Sequence, residues 1–444
     1  MAKRPIHLPR ALALATAIAL VPVATTGLAA IDAHSGPEFN KLFAVMDKVK
    51  QDYVDPVDDD KLIKGAINGM LAALDPHSSF LDVRDFANLR TQTEGSYGGL
   101  GLSVSMEDGA VKVIAPTKGS PADKAGIKAG DFITHINGKL VFGSTLDDAV
   151  DQMRGPPGTT IQLRVFRPGR DDPIEVTITR QVIVLQPVDG KVVDGIGVIS
   201  VSSFSANVAQ QANEAWNRIR AETGGHPGGL VLDLRGDPGG LLDEAVALSD
   251  LFLEKGVIVS QRGRYARDTE TYNATPGDIA RGLPLVVLVD EGSASASEIV
   301  AGALQDQHRA VIMGQRTFGK GSVQTLIPLG KDTALKLTTA RYYTPSGRSV
   351  QEGGITPDIT VPQISDPDLR KRAARAYRES DLRGHLVNEI KDDKDLEKDA
   401  TADPRFKMTP EELKAKGITD FQLWYATQTI GRTTPAALAA RRHG

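Results

Sequence analysis

Between Leu185 and Pro362, short apolar runs alternate with stretches of helical periodicity, and this alternation restricts the fold more than any other feature of the chain. Gly197-Val198-Ile199-Ser200-Val201, Leu230-Val231-Leu232-Asp233-Leu234, Leu285 to Val289 and Ala310 to Met313 read as strands. Ala206 to Ala221, Leu241 to Leu253 and Ser297 to Asp306 read as the helices between them. Strand–helix–strand order demands crossover connections, so the expected core is a mostly parallel sheet covered by helices. Leu335 to Tyr343 and Ile359 to Val361 read as late strands.

The flanking sequence has other textures. Phe39, Leu42, Phe43, Met46, Val49 and Tyr53 recur at helical spacing, as do Leu62, Ile63, Ala66, Ile67, Met70, Leu71 and Leu74. Two amphipathic helices follow, ended by the turn Asp75-Pro76-His77-Ser78-Ser79. From Glu94 to Ile183, short alternating strands are separated by glycine-rich turns, with one helix at Thr145 to Arg154. After Pro362 the chain turns polar, with mixed charge at Lys391-Asp392-Asp393-Lys394-Asp395. A last apolar cluster, Phe421, Leu423, Trp424 and Ile430, would dock on the body or on a second copy. The expectation is a multidomain α/β protein. It has an N-terminal helical region at 30–93, a β-rich module at 94–183, an α/β core at 184–362 and a polar, partly helical tail at 363–444.

The first 29 residues have the three parts of a secretory signal: a basic head (Lys3, Arg4, Arg10), an apolar run (Ala11 to Val23) and small residues at Gly27-Leu28-Ala29. The run is short for a membrane span of ~20 residues. The expected mature protein is exported to the periplasm without a stable membrane span; an uncleaved signal would leave it membrane-associated. Absence of cysteine excludes a thiol nucleophile, disulfides and thiolate metal sites. A net charge of −4 gives no footprint for nucleic acid.

Three segments carry residues suited to chemistry. Asp290-Glu291-Gly292-Ser293-Ala294-Ser295-Ala296-Ser297-Glu298 joins an apolar strand to a helix. A serine there lies near the positive end of the helix dipole and beside unpaired N–H groups. Alone, the segment reads first as a serine-rich helix cap. Thr317-Phe318-Gly319-Lys320-Gly321-Ser322-Val323-Gln324 presents one lysine between glycines. Lysine replaces histidine as a general base only when neutral, which requires burial to bring its pKa from ~10.4 toward ~7–8. Gln324, four residues on, would share a strand face with Lys320 and orient its amine. Asp233-Leu234-Arg235-Gly236-Asp237-Pro238-Gly239-Gly240 ends a buried strand; a glycine there could offer a bare N–H to an oxyanion, or simply reverse the chain. No histidine pair has metal-ligand spacing, so no metal site is expected.

Together these segments resemble those of the C-terminal processing peptidases, the tail-specific serine proteases of family S41. Ser-Ala-Ser-Ala-Ser-Glu at 293–298 is similar to the family's nucleophile motif, and Thr-Phe-Gly-Lys-Gly-Ser-Val-Gln at 317–324 to its general-base motif. The resemblance implies Ser295 as nucleophile, Lys320 as base and Gln324 in support, with no metal or organic cofactor. It implies oxyanion donors at Ala296 N–H and at Gly239 or Gly240. Tyr97-Gly98-Gly99-Leu100-Gly101-Leu102 resembles a PDZ carboxylate-binding loop, which makes Gly99, Leu100, Gly101 and Leu102 the expected peptide-binding residues of 94–183. The implied activity is cleavage of envelope polypeptides near their C-termini, gated by the PDZ module. Implied partners are polypeptides with free C-termini, with room for self-association and an adaptor protein. Two rivals stand beside it: a non-catalytic PDZ-containing carrier on the same core, and a Ser–His hydrolase using His308.

Overall fold

The computed structural model describes residues 37–170, 172–362, 378–388 and 408–432. The signal-like segment 1–29 and the charged stretch 391–395 lie outside the described residues. The chain divides into two units, Met1–Gly69 and Met70–Gly444. In the first, Pro37–Asp52 is helical, and the helix Asp59–Ala72 begins there. Phe39, Leu42, Phe43 and Val45 are exposed. No helix among the described residues is long and apolar enough to cross a membrane.

The second unit begins with two elements the periodicity did not reveal. Ser79–Leu81 is a short strand and Val83–Glu94 a helix. Asp82 caps that helix by accepting from Arg84 and Asp85 N–H, and Gly95 ends it in the left-handed region at φ 65°. The helix buries none of its residues completely, so it carries no apolar stripe to read.

The β-rich module is one antiparallel sheet in the order Leu102–Glu107, Ala110–Pro116, Phe132–Ile136, Thr160–Phe166, Ile174–Thr179, with Lys139–Leu140 paired to Phe132–Ile136. Its core is Val111, Val113, Ile133, Ile136, Ile161, Leu163 and Val165, closed by Ala149 and Met153 of the helix Leu146–Met153. Leu102–Glu107 is an edge strand, open to addition of a further strand. The module joins the rest through a two-stranded ribbon, Ser96–Gly99 against Gln181–Val184. At the base of the ribbon Leu185 N–H donates to Gly95 O at 2.8 Å.

The α/β core follows the alternation read from the sequence. Its main sheet runs Val188–Val193, Ile196–Val201, Leu230–Asp233, Leu285–Val289, Val311–Gly314, Ile359–Thr360. The first pair is antiparallel and every later pair parallel. One face packs against the helices Val208–Glu222, Leu242–Asp250 and Ala296–Asp306 through Trp216, Ile219, Leu248 and Val300. The other is covered by the C-terminal helix Phe421–Arg432, whose Phe421, Leu423, Ala426 and Ile430 bury against Val198, Val231, Val286 and Leu288. The last apolar cluster thus docks on the body.

A second sheet was not foreseen as a unit. Ala334–Tyr343 is its spine. Ser322–Pro328 pairs along one side; Ser79–Leu81 and Val257–Gly263 share the other, and Thr269–Asn273 extends it. Every pairing is antiparallel, and the strand before residue 82 is stitched to one beyond residue 333.

Candidate active site

In an open parallel sheet, ligand sites form beyond the carboxyl ends of the strands. The three segments singled out above emerge there, from three adjacent strands. The 233–240 turn follows Leu230–Asp233, the 290–298 segment follows Leu285–Val289, and the 317–324 segment follows Val311–Gly314. Hydrogen bonds join neighbouring turns. Ala294 N–H and Ser297 Oγ both donate to Asp237 O at 3.0 Å, Ser293 Oγ donates to Leu234 O at 2.8 Å, and Phe318 N–H donates to Ser293 O at 3.0 Å.

Ser295 is the residue before the helix Ala296–Asp306 and sits at φ 54°, ψ −110°, a conformation costly to a residue with a Cβ. Ser295 is the N-cap residue of this helix, and its N–H donates to Glu298 three residues on, so the cap and the candidate nucleophile fall on one residue. Ala296 opens the helix, and its N–H has no intrahelical partner.

Glu298, fully buried, ties the serine to the lysine segment. Its Oε2 accepts from Ser295 N–H at 2.8 Å and from Lys320 N–H at 2.9 Å. Its Oε1 accepts from Gly319 N–H at 2.8 Å and Thr317 Oγ1 at 2.5 Å. Burial lifts this carboxyl to about 7, against the pull of those four donors. With donors on both oxygens, it is placed as a carboxylate.

Burial also drives Lys320 down to about 8, helped by the charge of Lys336 and opposed by Glu379, Glu298 and Asp75. The flanking glycines are required by close approach. A Cβ at Gly319 would lie 2.7 Å from Glu352 O, and one at Gly321 would lie 2.5 Å from Gln351 N. Gly321 N–H donates to Gln351 Oε1, and the hydroxyl of the buried Tyr342 donates to Lys320 O. The same phenol also interacts with the Ser295 side chain. Gln351 in turn donates to Glu379, which His77 Nε2 approaches at 2.8 Å.

The other expected residues fall out as follows. A Cβ at Gly239 would lie 2.8 Å from Ser295 Cβ and 2.9 Å from Ala296 N, so this glycine lies against the serine turn. Its N–H donates to Asp237 Oδ1 at 2.8 Å. Gly240 faces Phe204, and its N–H has no partner among the described residues. Burial pushes Asp237 up to about 7, opposed by Gly239 N–H and Ser297, and its Oδ2 has no hydrogen-bond partner. Gln324 donates to Ser322 Oγ at 3.0 Å and Thr338 Oγ1 at 3.4 Å. Gln324 lies in the strand Ser322–Pro328, which Lys320 precedes by two residues; the unpaired residue where this strand meets Ala334–Tyr343 is Thr339, on the partner strand. Leu100 is buried in the β-rich module's core, so it could bind a peptide only through its backbone. Leu100 O and Gly101 O accept from Ala122 N–H and Thr117 N–H, while the N–H groups of Leu100 and Gly101 have no partner among the described residues. Gly99 ends the ribbon strand and Leu102 opens the edge strand. His308 is exposed beyond the far end of the helix that Ser295 precedes, ~16 Å away for eleven residues at 1.5 Å each.

Sequence reasoning assigned no role to Glu298, Tyr342, Gln351 or Glu379. Only Glu298 had a readable signal, since it stands three residues past Ser295 at capping-box spacing. The others arrive from distant strands and turns.

The 233–240 turn is also gripped from behind. Arg235 pairs with Asp233 and with Asp420, each at 2.7 Å, and donates to Gln422 Oε1 at 3.1 Å. Asp420→Ala should remove this latch and lower stability by about 1 kcal/mol, because the pair is partly solvated. Thermal denaturation is expected to show a Tm lower by roughly 1–2 °C.

Comparison with known proteins gives this geometry its context. Residues 195–361 match peptidase family S41, residues 98–178 match the PDZ domain, and residues 24–84 match the N-terminal domain of the activating protease CtpB. A carboxy-terminal-processing protease of Bartonella bacilliformis is 48% identical over 351 residues, 79% of this chain and 81% of that protein. Carboxy-terminal processing protease CtpA of Bacillus subtilis is 36% identical over 324 residues, covering 72% and 68%. Among solved structures, the photosystem II D1 C-terminal processing protease is 32% identical with a TM-score of 0.43, covering 76% of this chain and 92% of that one. The protein is therefore a serine peptidase with a PDZ domain. It belongs to the S41 family of carboxy-terminal processing proteases.

Proposed function

We propose that this peptidase works with a Ser295–Lys320 pair and cleaves exported polypeptides near their C-termini. The observation that carries the reading is the Glu298 carboxylate, which accepts from the backbone N–H of both residues while burial lowers the Lys320 amine to about 8. Neutral Lys320 takes the proton from Ser295 Oγ as that oxygen attacks the scissile carbonyl. Ala296 N–H and an N–H of the Gly239–Gly240 pair stabilise the negative oxygen of the tetrahedral intermediate. Of the two glycines, Gly240 has the unengaged N–H. The lysine then protonates the leaving amine, is neutral again, and takes a proton from the water that attacks and releases the acyl group, returning that proton to Ser295 Oγ. Leu100 and Gly101 N–H capture a terminal carboxylate, and the peptide adds along Leu102–Glu107 as an extra strand. Export to the periplasm is supported by the pattern of residues 1–29.

Envelope extract is incubated with the wild type and with Ser295→Ala, and new C-termini are mapped by mass spectrometry. The wild type is expected to create C-termini that the variant does not. Identical sets would sink the assignment and leave a carrier role.

A further inference from the structure

Beside the site lies a cleft of about 430 Å³ lined by Arg262, Arg264 and Arg341 together with Thr338, Thr339 and Tyr343. Its origin is topological. Along one side of Ala334–Tyr343, the strand Val257–Gly263 pairs only as far as Ala340 and Ser79–Leu81 begins only at Lys336. Residues 337–339 are left between them, and the cleft forms at this break.

The charge placement calls for an explanation. Arg262 and Arg341 are direct partners in the antiparallel register, so their side chains share one face of the sheet. Arg264 follows directly after the end of that strand and lines the same cleft. Like charges set directly opposite each other destabilise a sheet. No carboxylate pairs with Arg262 or Arg264 among the described residues; each stacks on a ring, Arg262 at 4.0 Å from the centroid of Tyr343 and Arg264 at 5.7 Å from that of Tyr265. Arg341 donates to Val387 O at 3.3 Å. The nearby acids are committed elsewhere. Asp268 accepts from Tyr265 N–H and faces Arg267, and Asp75 is held by Ser78, His77 N–H and Thr338. A planar guanidinium fork matches a carboxylate with two parallel bonds.

The cleft also adjoins the chemistry. Thr338 on its wall is touched by Gln324, and four residues along the same strand Tyr342 donates to Lys320 O.

We propose that this arginine-lined cleft is a substrate subsite that binds a carboxylate of the polypeptide being cut, either its terminal carboxylate or an acidic side chain near the scissile bond. The inference rests on the Ser295–Lys320 reading and adds to it a preference that the core itself reads, separate from the PDZ turn.

The test uses the full chain and four synthetic peptides sharing one mapped cleavage sequence. Two end in a free carboxylate or a carboxamide; two carry glutamate or glutamine near the scissile bond. Cleavage by wild type and by Arg262→Gln/Arg264→Gln is compared, and binding is read by fluorescence anisotropy on the same pair in a Ser295→Ala background. The double variant is expected to lose about tenfold in kcat/KM and in affinity on whichever carboxylate peptide uses the cleft, beyond any loss on its neutral counterpart. Its Tm is expected to equal or exceed that of the wild type, because a like-charge contact has been removed. The free-acid pair and the glutamate pair identify the source of the carboxylate. Equal losses on all four peptides, or carboxylate preferences unchanged by the substitutions, overturn the proposal. Cleavage that survives Ser295→Ala strikes the catalytic assignment instead, and the binding comparison still reports on the cleft.

Discussion

Lys320→Ala is expected to lower kcat/KM by about 10⁴-fold, since it removes the only group assigned to move the serine's proton. Lys320→Arg should be nearly as damaging, because a guanidinium stays protonated and cannot accept. The wild type carries the pH signature of the same claim. Its base is the unprotonated amine, so kcat/KM should rise about tenfold per pH unit below about 8 and level off above it. Lys336 helps to hold Lys320 down, so Lys336→Gln should move that rise to higher pH. Steady-state rates on one peptide between pH 6 and 10 provide the check. A rate independent of pH across that range would rule out lysine as the base.

Glu298→Ala is the second large effect, and it acts on folding as well as on rate. The substitution leaves Ser295, Gly319 and Lys320 N–H and the Thr317 hydroxyl without their acceptor in a buried place. Each such loss costs about 1–3 kcal/mol before the backbone relaxes, so a net destabilisation on the order of 4 kcal/mol is expected. Glu298→Gln is not a mild alternative. Both oxygens of the carboxylate accept two bonds, and an amide NH₂ in either place would face two donors. Its kcat/KM should fall at least about 10²-fold even where the fold survives, because the serine and lysine backbones lose their common anchor. Denaturant unfolding and single-turnover rates separate the two effects. A Glu298→Gln protein with wild-type rates would show that this tie does not position the pair.

The features readable in advance were those encoded locally. Leu285 to Val289 is apolar at every position because both faces are covered, and the turn after it needs small residues for close approach. Ser295 and Lys320 each stand in a short, unusual string, and the matched family occupies the region those strings had marked. What depended on distant pairing was not legible. Val257–Gly263 opens with a short apolar run and turns polar, Thr269–Asn273 is polar and pairs with it, and nothing in either sequence names Ala334–Tyr343 as the strand they join. Gln324 could be counted along its own strand, but its partners Ser322 and Thr338, and the unpaired Thr339 opposite, depend on the pairing with Ala334–Tyr343. The turn Asp233–Gly240 did not reveal that the Asp237 side chain engages Gly239 N–H, a bond that distinguishes the two glycines. Glu298 stood in plain view at the right spacing, yet its reach to Thr317 and Gly319 is purely tertiary.

The ribbon at the foot of the PDZ domain has a consequence for how such a protein can be rebuilt. Gly95 and Leu185 are hydrogen-bonded neighbours, so the entire 90-residue excursion leaves and re-enters the catalytic body at one point. A reader domain mounted this way is a cassette: joining the two ends by a few residues would lift it out without stretching the body, and another peptide-recognition domain with adjacent termini could be seated in its place. The PDZ domain and the catalytic body are thereby joined by one pair of strands, with Arg154–Asn88 and Arg84–Asp151 as side-chain contacts that seat the domain on the helix Val83–Glu94.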